Sequence, residues 1–252
     1  SVLEMPLRFL VRFFANHGLL QVDVEGRPEW RVIRGGSREY VDKLVAGHRD
    51  RIRLNSPVQV LRRVDDRIEI RSASGGRELF DYVFLACHSD QALALLHDPT
   101  AAEQEVLGAI RYQGNEAILH TDASLMPRRR GAWAAWNYHV PRDPARHVAV
   151  TYNMNILQQL ASEKQYLVTL NSDRAIDEDK IIRRVQYDHP IYSRETVAAQ
   201  RRHAEVNRDR TFFCGAYWRN GFHEDGVVSA LDAVAHFEKR LADGQLHLRR
   251  AG

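Results

Sequence analysis

Residues Cys214-Gly215-Ala216-Tyr217-Trp218-Arg219-Asn220-Gly221-Phe222-His223-Glu224-Asp225-Gly226 separate an apolar run, Thr211 to Gly215, from a long amphipathic segment. This is the layout of a strand that passes through a glycine-punctuated loop into a helix. The first turn of a helix offers N–H groups with no internal acceptor and a partial positive charge, both of which favour an anionic group. A tight structural connection with glycines at positive φ accounts for the same spacing, so the loop alone does not decide between the two.

A second stretch has similar grammar. Tyr82 to Ala86 is a continuous apolar run, as expected of a strand covered on both faces, and it ends at Cys87-His88-Ser89-Asp90. A helix through Leu93, Leu96 and His97 is predicted to follow. Open α/β sheets place their ligands at such carboxyl ends of strands. Further on, Trp133, Trp136, Asn137, Tyr138, His139, Tyr152, Asn153, Met154 and Asn155 bring aromatic and amide side chains together. Of these, Trp136, Tyr138, Tyr152 and Asn153 are the candidate lining of an apolar pocket, the alternative being ordinary sheet core with hydrogen-bonded tips. His223 is a candidate for proton relay or for a structural role; His88 and His120 read as structural. No sequence-local catalytic triad, zinc-ligand spacing or Walker-type phosphate loop is present, so no catalytic residue is named and hydrolase and ATPase chemistry find no support.

The elements that must position these residues follow from periodicity. Pro6 to His17 places Leu7, Leu10, Val11 and Phe14 on one helical face, with Gly18 as its stop. Val32-Ile33-Arg34 reads as a short strand, Gly35-Gly36 as a turn, and Ser37 as the N-cap of a helix carrying Tyr40, Val41, Leu44 and Val45. Val58 and Val60, then Ile68 and Ile70, alternate with polar neighbours, and Ser74-Gly75-Gly76 supplies a hairpin turn. Strands are predicted at 116–121, 133–139, 147–153, 166–170 and 182–188, giving a mainly antiparallel sheet, followed by a helix over 195–206. The last helix is expected to bury a stripe of Val227, Ala230, Leu231, Val234, Phe237 and Leu241, with Asp225 as its cap; the final decapeptide is expected to be loose.

The chain has 252 residues, 44% of them hydrophobic, enough for one large domain or two smaller ones. With 36 basic and 33 acidic residues the net charge is only +3, and the one compact basic cluster, Arg128-Arg129-Arg130, reads as a solvated loop and not as a nucleic-acid contact. No run approaches the roughly 20 apolar residues that span a bilayer, and no signal-peptide layout opens the chain, so no membrane insertion and a cytoplasmic location are expected. Cys87 and Cys214 are the only cysteines and are expected to be free.

Phe212 to Ala235 resembles the last FAD-contacting motif of the flavin-containing amine-oxidase and phytoene-desaturase-like superfamily. Similar stretches are Trp30 to Ser37, Ala86 to Leu93, Val150 to Asn155 and Leu167 to Asn171. More narrowly, the set looks like that of bacterial NAD/FAD-binding amine-oxidase-like proteins, which are related to a flavoprotein-like domain fused to plant cyclopropane-fatty-acid synthases. The resemblance implies an α/β (α+β mixed) fold, in which a partial FAD-binding α/β layer joins a mainly antiparallel substrate-domain sheet with helices. It implies FAD as the cofactor of the intact protein. Val58 would open the strand beside the adenine, and Ala86 and Cys87 would end the strand beneath the cofactor. Gly215, Ala216, Gly221, Phe222, His223, Glu224, Asp225 and Gly226 would face the ribityl chain, pyrophosphate and flavin ring.

Two departures from the pattern carry consequences. Many relatives have an acid where this chain has Ala216, and the superfamily's G-x-G-x-x-G unit does not occur in these residues. The expectation is therefore a fragment impaired in FAD binding, with residues 30–90 and 210–242 as the remnant cofactor domain and 1–29 and 91–209 as the substrate domain. A small apolar or amine substrate is implied, together with a homo-oligomer that covers the exposed FAD-side face. The rival expectation is a non-catalytic flavoprotein-derived module that binds a lipid or a partner.

Overall fold

The computed structural model describes residues 5–22, 29, 31–141 and 148–247. Trp30 and His147, both named in the sequence motifs, lie outside the described residues, as do the last five of the terminal decapeptide. The helices are α1 (Leu7–Asn16), α2 (Arg38–Val45), α3 (Ser89–Leu95), α4 (Ala101–Gly108), α5 (Met154–Leu157), α6 (Arg194–Gln200), α7 (His203–Val206) and α8 (His223–Ala242). The strands are β1 (Val58–Val64), β2 (Arg67–Ser72), β3 (Arg77–Phe80), β4 (Val83–Leu85), β5 (Tyr112–His120), β6 (Trp136–His139), β7 (Ala149–Asn153), β8 (Leu167–Leu170), β9 (Ile181–Pro190) and β10 (Thr211–Phe213). The mixture of helices with antiparallel sheets is the α/β arrangement expected.

Two compact units divide the chain, one formed by Ser1–Pro28, Arg51–Tyr112 and Pro190–Gly252, the other by Glu29–Asp50 and Gln113–His189. These limits differ from the expected division at 30–90 and 210–242 against 1–29 and 91–209. Residues 91–112 and 190–209 group with the parallel strands because their helices complete the same core. Ala92, Val106, Leu107, Ala199 and Val206 pack there with Leu85 and Phe213.

In the first unit β1, β2 and β3 form an antiparallel meander. Its second turn is closed by the Ser72 amide donating to the Gly76 carbonyl at 3.0 Å, with Gly75 at φ 85°, as the Ser-Gly-Gly spacing predicts. β4 and β10 pair in parallel, Thr211 to Phe213 against Val83 to Leu85. Only one face of β4 is sealed in the core: Leu85 is buried, while Phe84 is 41% exposed and stacks on Phe212 at 4.9 Å. The expectation of a strand covered on both faces thus holds for half of it, because β4 has a single described sheet neighbour.

α4 escaped the sequence reading, although Thr100-x-x-Glu103 is a capping-box signature. Glu103 accepts from the Thr100 amide at 2.8 Å, and Thr100 Oγ1 accepts from the Glu103 amide at 3.2 Å. Glu103 is only 3% exposed, so its charge needs partners. Arg63 of β1 donates to it at 2.6 Å and to Thr211 Oγ1 at 2.8 Å, and Thr211 Oγ1 donates to the carboxylate at 3.2 Å. One buried carboxylate thereby ties β1, α4 and β10 together.

Several local expectations change. Val32 to Arg34 has no ladder partner and is not a strand, and Ser37 occupies the N-cap of α2 without a side-chain cap bond. Gly18, at φ 63°, does follow the end of α1 as expected. α3 stops at Leu95; Leu96 is extended and bridges Leu61, and the His97 amide bonds the Leu61 carbonyl, so neither continues the helix. The predicted helix over 195–206 is two, broken at Arg201-Arg202. α8 begins at His223, and its buried side runs through Ser229, Ala230, Ala233, Phe237 and Leu241. Val227, Leu231 and Val234 instead lie exposed on a second apolar stripe, Leu231 by 63%. Residues 243–247 are docked, with Leu246 buried and the His247 amide and carbonyl both bonded to Tyr82 Oη.

The second unit is a five-stranded sheet in the order β6-β7-β8-β5-β9, as the run of short strands predicts. β6 to β7, β7 to β8 and β8 to β5 are antiparallel. One face carries Ala149, Thr151, Asn153, Leu167, Thr169, Ile118 and His120, all buried. His120 Nδ1 accepts from the Asp122 amide at 3.1 Å, which leaves Nε2–H to donate to Thr169 Oγ1 at 2.7 Å. Burial pushes this imidazole below its ordinary pKa, consistent with a neutral, structural histidine.

Replacing Arg63 by Met strands the Glu103 carboxylate and is expected to cost about 3–5 kcal/mol of unfolding free energy in urea. Adding Glu103→Leu to that variant removes the unpaired charge and should recover most of the loss. A double variant as unstable as the single one refutes the buried-charge account.

Candidate functional site

β4 and β10 run parallel, so their carboxyl ends open on the same side, and the Cys214 amide extends the ladder to the Leu85 carbonyl at 3.0 Å. From β4 the chain continues through Ala86, which is exposed, and Cys87, which is half-buried, into α3. Gln91 accepts from the His88 amide at 3.3 Å. Tyr112 Oη accepts from the Ser89 amide at 2.9 Å and the His88 ring stacks on Tyr112 at 4.4 Å, so the turn is held by the start of β5.

From β10 the chain enters the glycine loop. Gly215 has φ 158° and ψ 157°, and its amide donates to Ser229 Oγ at 2.8 Å. Ser229 donates in turn to the Gly226 carbonyl at 2.9 Å, fastening the loop to α8. A Cβ on Gly215 would strike the Tyr217 ring, and one on Gly221, at φ 93°, would come within 2.6 Å of Tyr192 Oη. Both glycines are therefore required by the protein's own packing, whatever else the loop holds. The α8 N-cap is Phe222, whose amide donates to Asp225 at 3.0 Å. Asp225 thus closes the helix end from the third helical position and is not itself the N-cap.

Buried polar groups brace the loop from behind. Asn207 accepts from the Phe213 amide at 2.6 Å and its amide nitrogen approaches His203 Nε2 at 2.7 Å. His203 is 8% exposed, and burial lowers its pKa to about 4. Burial likewise raises the pKa of both thiols, Cys87 and Cys214, and of Tyr112, Tyr192 and Tyr217. At neutral pH these groups are uncharged. Neither thiol has the lowered pKa of an activated nucleophile, and the two cysteines are free, as expected. Tyr217 Oη and His88 Nδ1 are buried with no partner meeting hydrogen-bond geometry among the described residues.

The predicted cofactor residues therefore fall mostly in one place. Ala86 and Cys87 leave β4 beside β10, and Gly215 to Gly226 form the loop and helix start that follow β10. Val58 is elsewhere in the unit's secondary structure, opening β1 with its Cα paired to Ser72 in the three-stranded sheet. His223 and Glu224 are exposed in the first turn of α8, and Gly226 is half-buried within it. Sequence reasoning missed Tyr112 and Ser229, which hydrogen-bond to these turns across 23 and 14 residues, and Tyr192, which packs against Gly221.

In the second unit Trp136 and Tyr152 are cross-strand partners with ring centroids 6.2 Å apart. Tyr138, two residues along β6, shares their face and borders a cavity of about 230 Å³ with Met126, Arg128 and Arg174. Asn153 does not join them. It is fully buried on the opposite face, where it accepts from the Ile156 amide at 3.1 Å as the cap of α5 and donates to Gln165 at 3.2 Å. Alternation along β7 puts Tyr152 and Asn153 on different sides, which excludes a common wall. Among the described residues no group of three His, Cys, Asp or Glu side chains could hold a metal ion, and no helix is long and apolar enough to cross a membrane.

Residues 12–129 match the family described as flavin containing amine oxidoreductase. That interval includes Val58, Ala86 and Cys87 and stops before the glycine loop. A protein from Exiguobacterium sp. 255-15 assigned as a protoporphyrinogen oxidase is 16% identical, with TM-score 0.59 over 93% of this chain and 58% of its own. A putrescine oxidase variant with redesigned cofactor binding is 11% identical, with TM-score 0.52 over 82% of this chain and 53% of its own. At these identities the likeness is one of fold, and the chain spans little more than half the length of either structure. No curated protein matches it at a significant level. The family match covers less than half of the chain, and the likeness to these structures is one of fold.

Two predictions follow from the loop and its brace. Gly221→Ala should destabilise the protein by roughly 1–3 kcal/mol through positive φ and the Tyr192 hydroxyl; adding Tyr192→Phe should restore part of that, whereas no recovery excludes the steric cause. His203 has a depressed folded pKa, so the unfolded chain binds its proton first as pH falls. Its stabilising contribution is full above about pH 6.5 and is lost towards pH 4, a change of roughly 3 kcal/mol. Urea denaturation of the parent and of His203→Gln at pH 7 and pH 4.5 should show a smaller acid loss in the variant.

Proposed function

We propose that this chain is part of an FAD-dependent oxidoreductase of the amine-oxidase type that acts on an apolar or amine substrate. The observation that carries this reading is the parallel β4–β10 pair, which delivers two turns and the start of α8 to one side. The residues present fit a flavin there. The first turn of α8 presents N–H groups that the helix ladder does not use, and Tyr217 Oη and His88 Nδ1 are buried polar atoms without hydrogen-bond partners among the described residues. The carboxylates of Glu224 and Asp225 oppose a phosphate at this helix end but suit hydroxyl or N–H groups. The uncharged portion of the cofactor therefore matches this corner better than its pyrophosphate does.

When bound, FAD would supply the acceptor for a hydride removed from a C–N or C–C bond. This chain's residues would position and insulate: neutral thiols and tyrosines keep competing nucleophiles out of the site. The Trp136, Tyr138 and Tyr152 face supports an apolar substrate. The exposed Val227, Leu231 and Val234 stripe supports a covering partner for α8, a second copy being one such partner. The parallel sheet has two described strands, and no G-x-G-x-x-G occurs in these residues. Both features support weak retention of FAD by the 252 residues taken alone.

The rival reading, a non-catalytic module that binds an apolar ligand, draws on the same exposed apolar surfaces. Titration of the purified chain with FAD separates the two. A shifted flavin absorption band that is lost on gel filtration is expected. A sample with no spectral change at any FAD concentration, yet able to bind an apolar dye, would falsify the flavin reading and favour the module. Tight retention through gel filtration would overturn the proposed weakness and leave the flavin assignment standing.

A further inference from the structure

The first unit contains a concavity of about 700 Å³ on the side of the glycine loop that faces α1, α6 and α7. Arg8, Arg12 and Asn16 recur at four-residue spacing along α1 and line one wall. Val197, Arg201 and Ala204 recur at helical spacing across α6 and α7 and line the other. Trp218, Arg219 and Asn220 of the loop, with Asp232 and His236 of α8, complete the lining. Gln200 fixes the loop segment in place, donating to the Tyr217 and Arg219 carbonyls at 2.8 and 2.6 Å. α1 is itself anchored to the unit, for Phe9 stacks on Tyr192 at 4.6 Å and Phe13 on Phe222 at 6.0 Å.

The charge of this lining is one-sided. Arg219 is paired with Asp232 at 3.1 Å, the only acid in the lining. Arg8, Arg12 and Arg201 have no ion-pair partner among the described residues, so three positive charges stand uncompensated around one cavity. The two histidines add no charge at neutral pH, since burial lowers the pKa of both His203 and His236. Guanidinium groups present planar forks that suit carboxylate or phosphate oxygens. Phe9, Pro6, Val197 and Ala204 contribute apolar surface alongside them. A solvated arginine face on a plain helix would show no concavity and no apolar floor, and a purely apolar groove would show no excess of cations.

We infer that this cleft binds a small amphiphilic oxyanion, with its carboxylate or phosphate head among Arg8, Arg12 and Arg201 and its apolar body against Phe9 and Val197. The site is separate from the proposed flavin corner in its chemistry, and it is tested without FAD. Its failure therefore leaves the flavin reading untouched, and the converse also holds.

The experiment is calorimetric titration of the full chain with octanoate, octyl phosphate and the neutral control octanol at low salt. Octanoate or octyl phosphate should bind, octanol should not, and the tighter of the two anions identifies the head group. Binding should weaken at least about tenfold in Arg8→Ala/Arg12→Ala and in Arg201→Ala. Arg12→Lys should lose less, because it keeps the charge and gives up only the fork. Circular dichroism checks that each variant is folded, and the Arg201 variant serves should the α1 pair disturb its helix. The inference is overturned if neither anion binds at millimolar concentration. It is equally overturned if octanol binds as well as the anions do, or if folded arginine variants bind as the parent does.

Discussion

The parallel pairing of β4 with β10 is the constraint on which the first unit rests. Only three residues of each strand take part, and they come from distant parts of the chain. Yet this short ladder sets where both following turns emerge, because strands that run the same way must end on the same side. A short parallel ladder supplies few hydrogen bonds, so its position has to be secured by packing and by buried polar partners. Leu85 and Phe213 secure one face in the larger core, and on the other Phe84 stacks on Phe212 while Phe237 meets both rings edge-on.

The buried polar partners share a common logic. Each ties a strand to a helix or to a helix end beside it. Glu103 of α4 bonds Arg63 and Thr211; Asn207 bonds both backbone groups of Phe213; Ser229 of α8 bonds the Gly215 amide. A buried polar group tolerates few geometries, since an unmade bond costs more than a made one contributes. These contacts therefore select one arrangement of the loop from many that apolar packing alone would permit. The glycines serve the same end, giving room to the Tyr217 and Tyr192 rings that wall the loop.

The electrostatic character of the strand ends differs from that of the cleft beside α1. Around the strand ends the thiols and phenols are kept neutral by burial, with carboxylates at the helix starts, Asp90 on α3 and Glu224 and Asp225 on α8. Such an environment positions a partner molecule without competing with it chemically. Across the loop, between α1 and the α6–α7 pair, the lining charges without an ion-pair partner among the described residues are Arg8, Arg12 and Arg201. Trp218, Arg219 and Asn220 of the glycine loop line that cleft, while Gly215 begins the loop at the end of β10.

The sequence by itself determined the local elements whose signal is periodic: the stop of α1 at Gly18, the meander turn at Ser74 to Gly76, the alternation of β7, and the strand-loop-helix order around Gly215. It also carried the motifs by which the chain resembles flavin amine oxidases. It did not reveal which side of an element would be buried. Val227, Leu231 and Val234 sit at helical spacing as regularly as Ala230, Ala233 and Phe237 do, yet only the second set meets β10 and β4. Tyr152 and Asn153 both read as pocket residues until pairing with β6 and β8 assigned them to opposite faces. Periodicity is a property of the backbone repeat and is written in neighbouring residues. The choice of face depends on which distant segment arrives to cover it, and that is fixed only when long-range packing and buried hydrogen bonds form together.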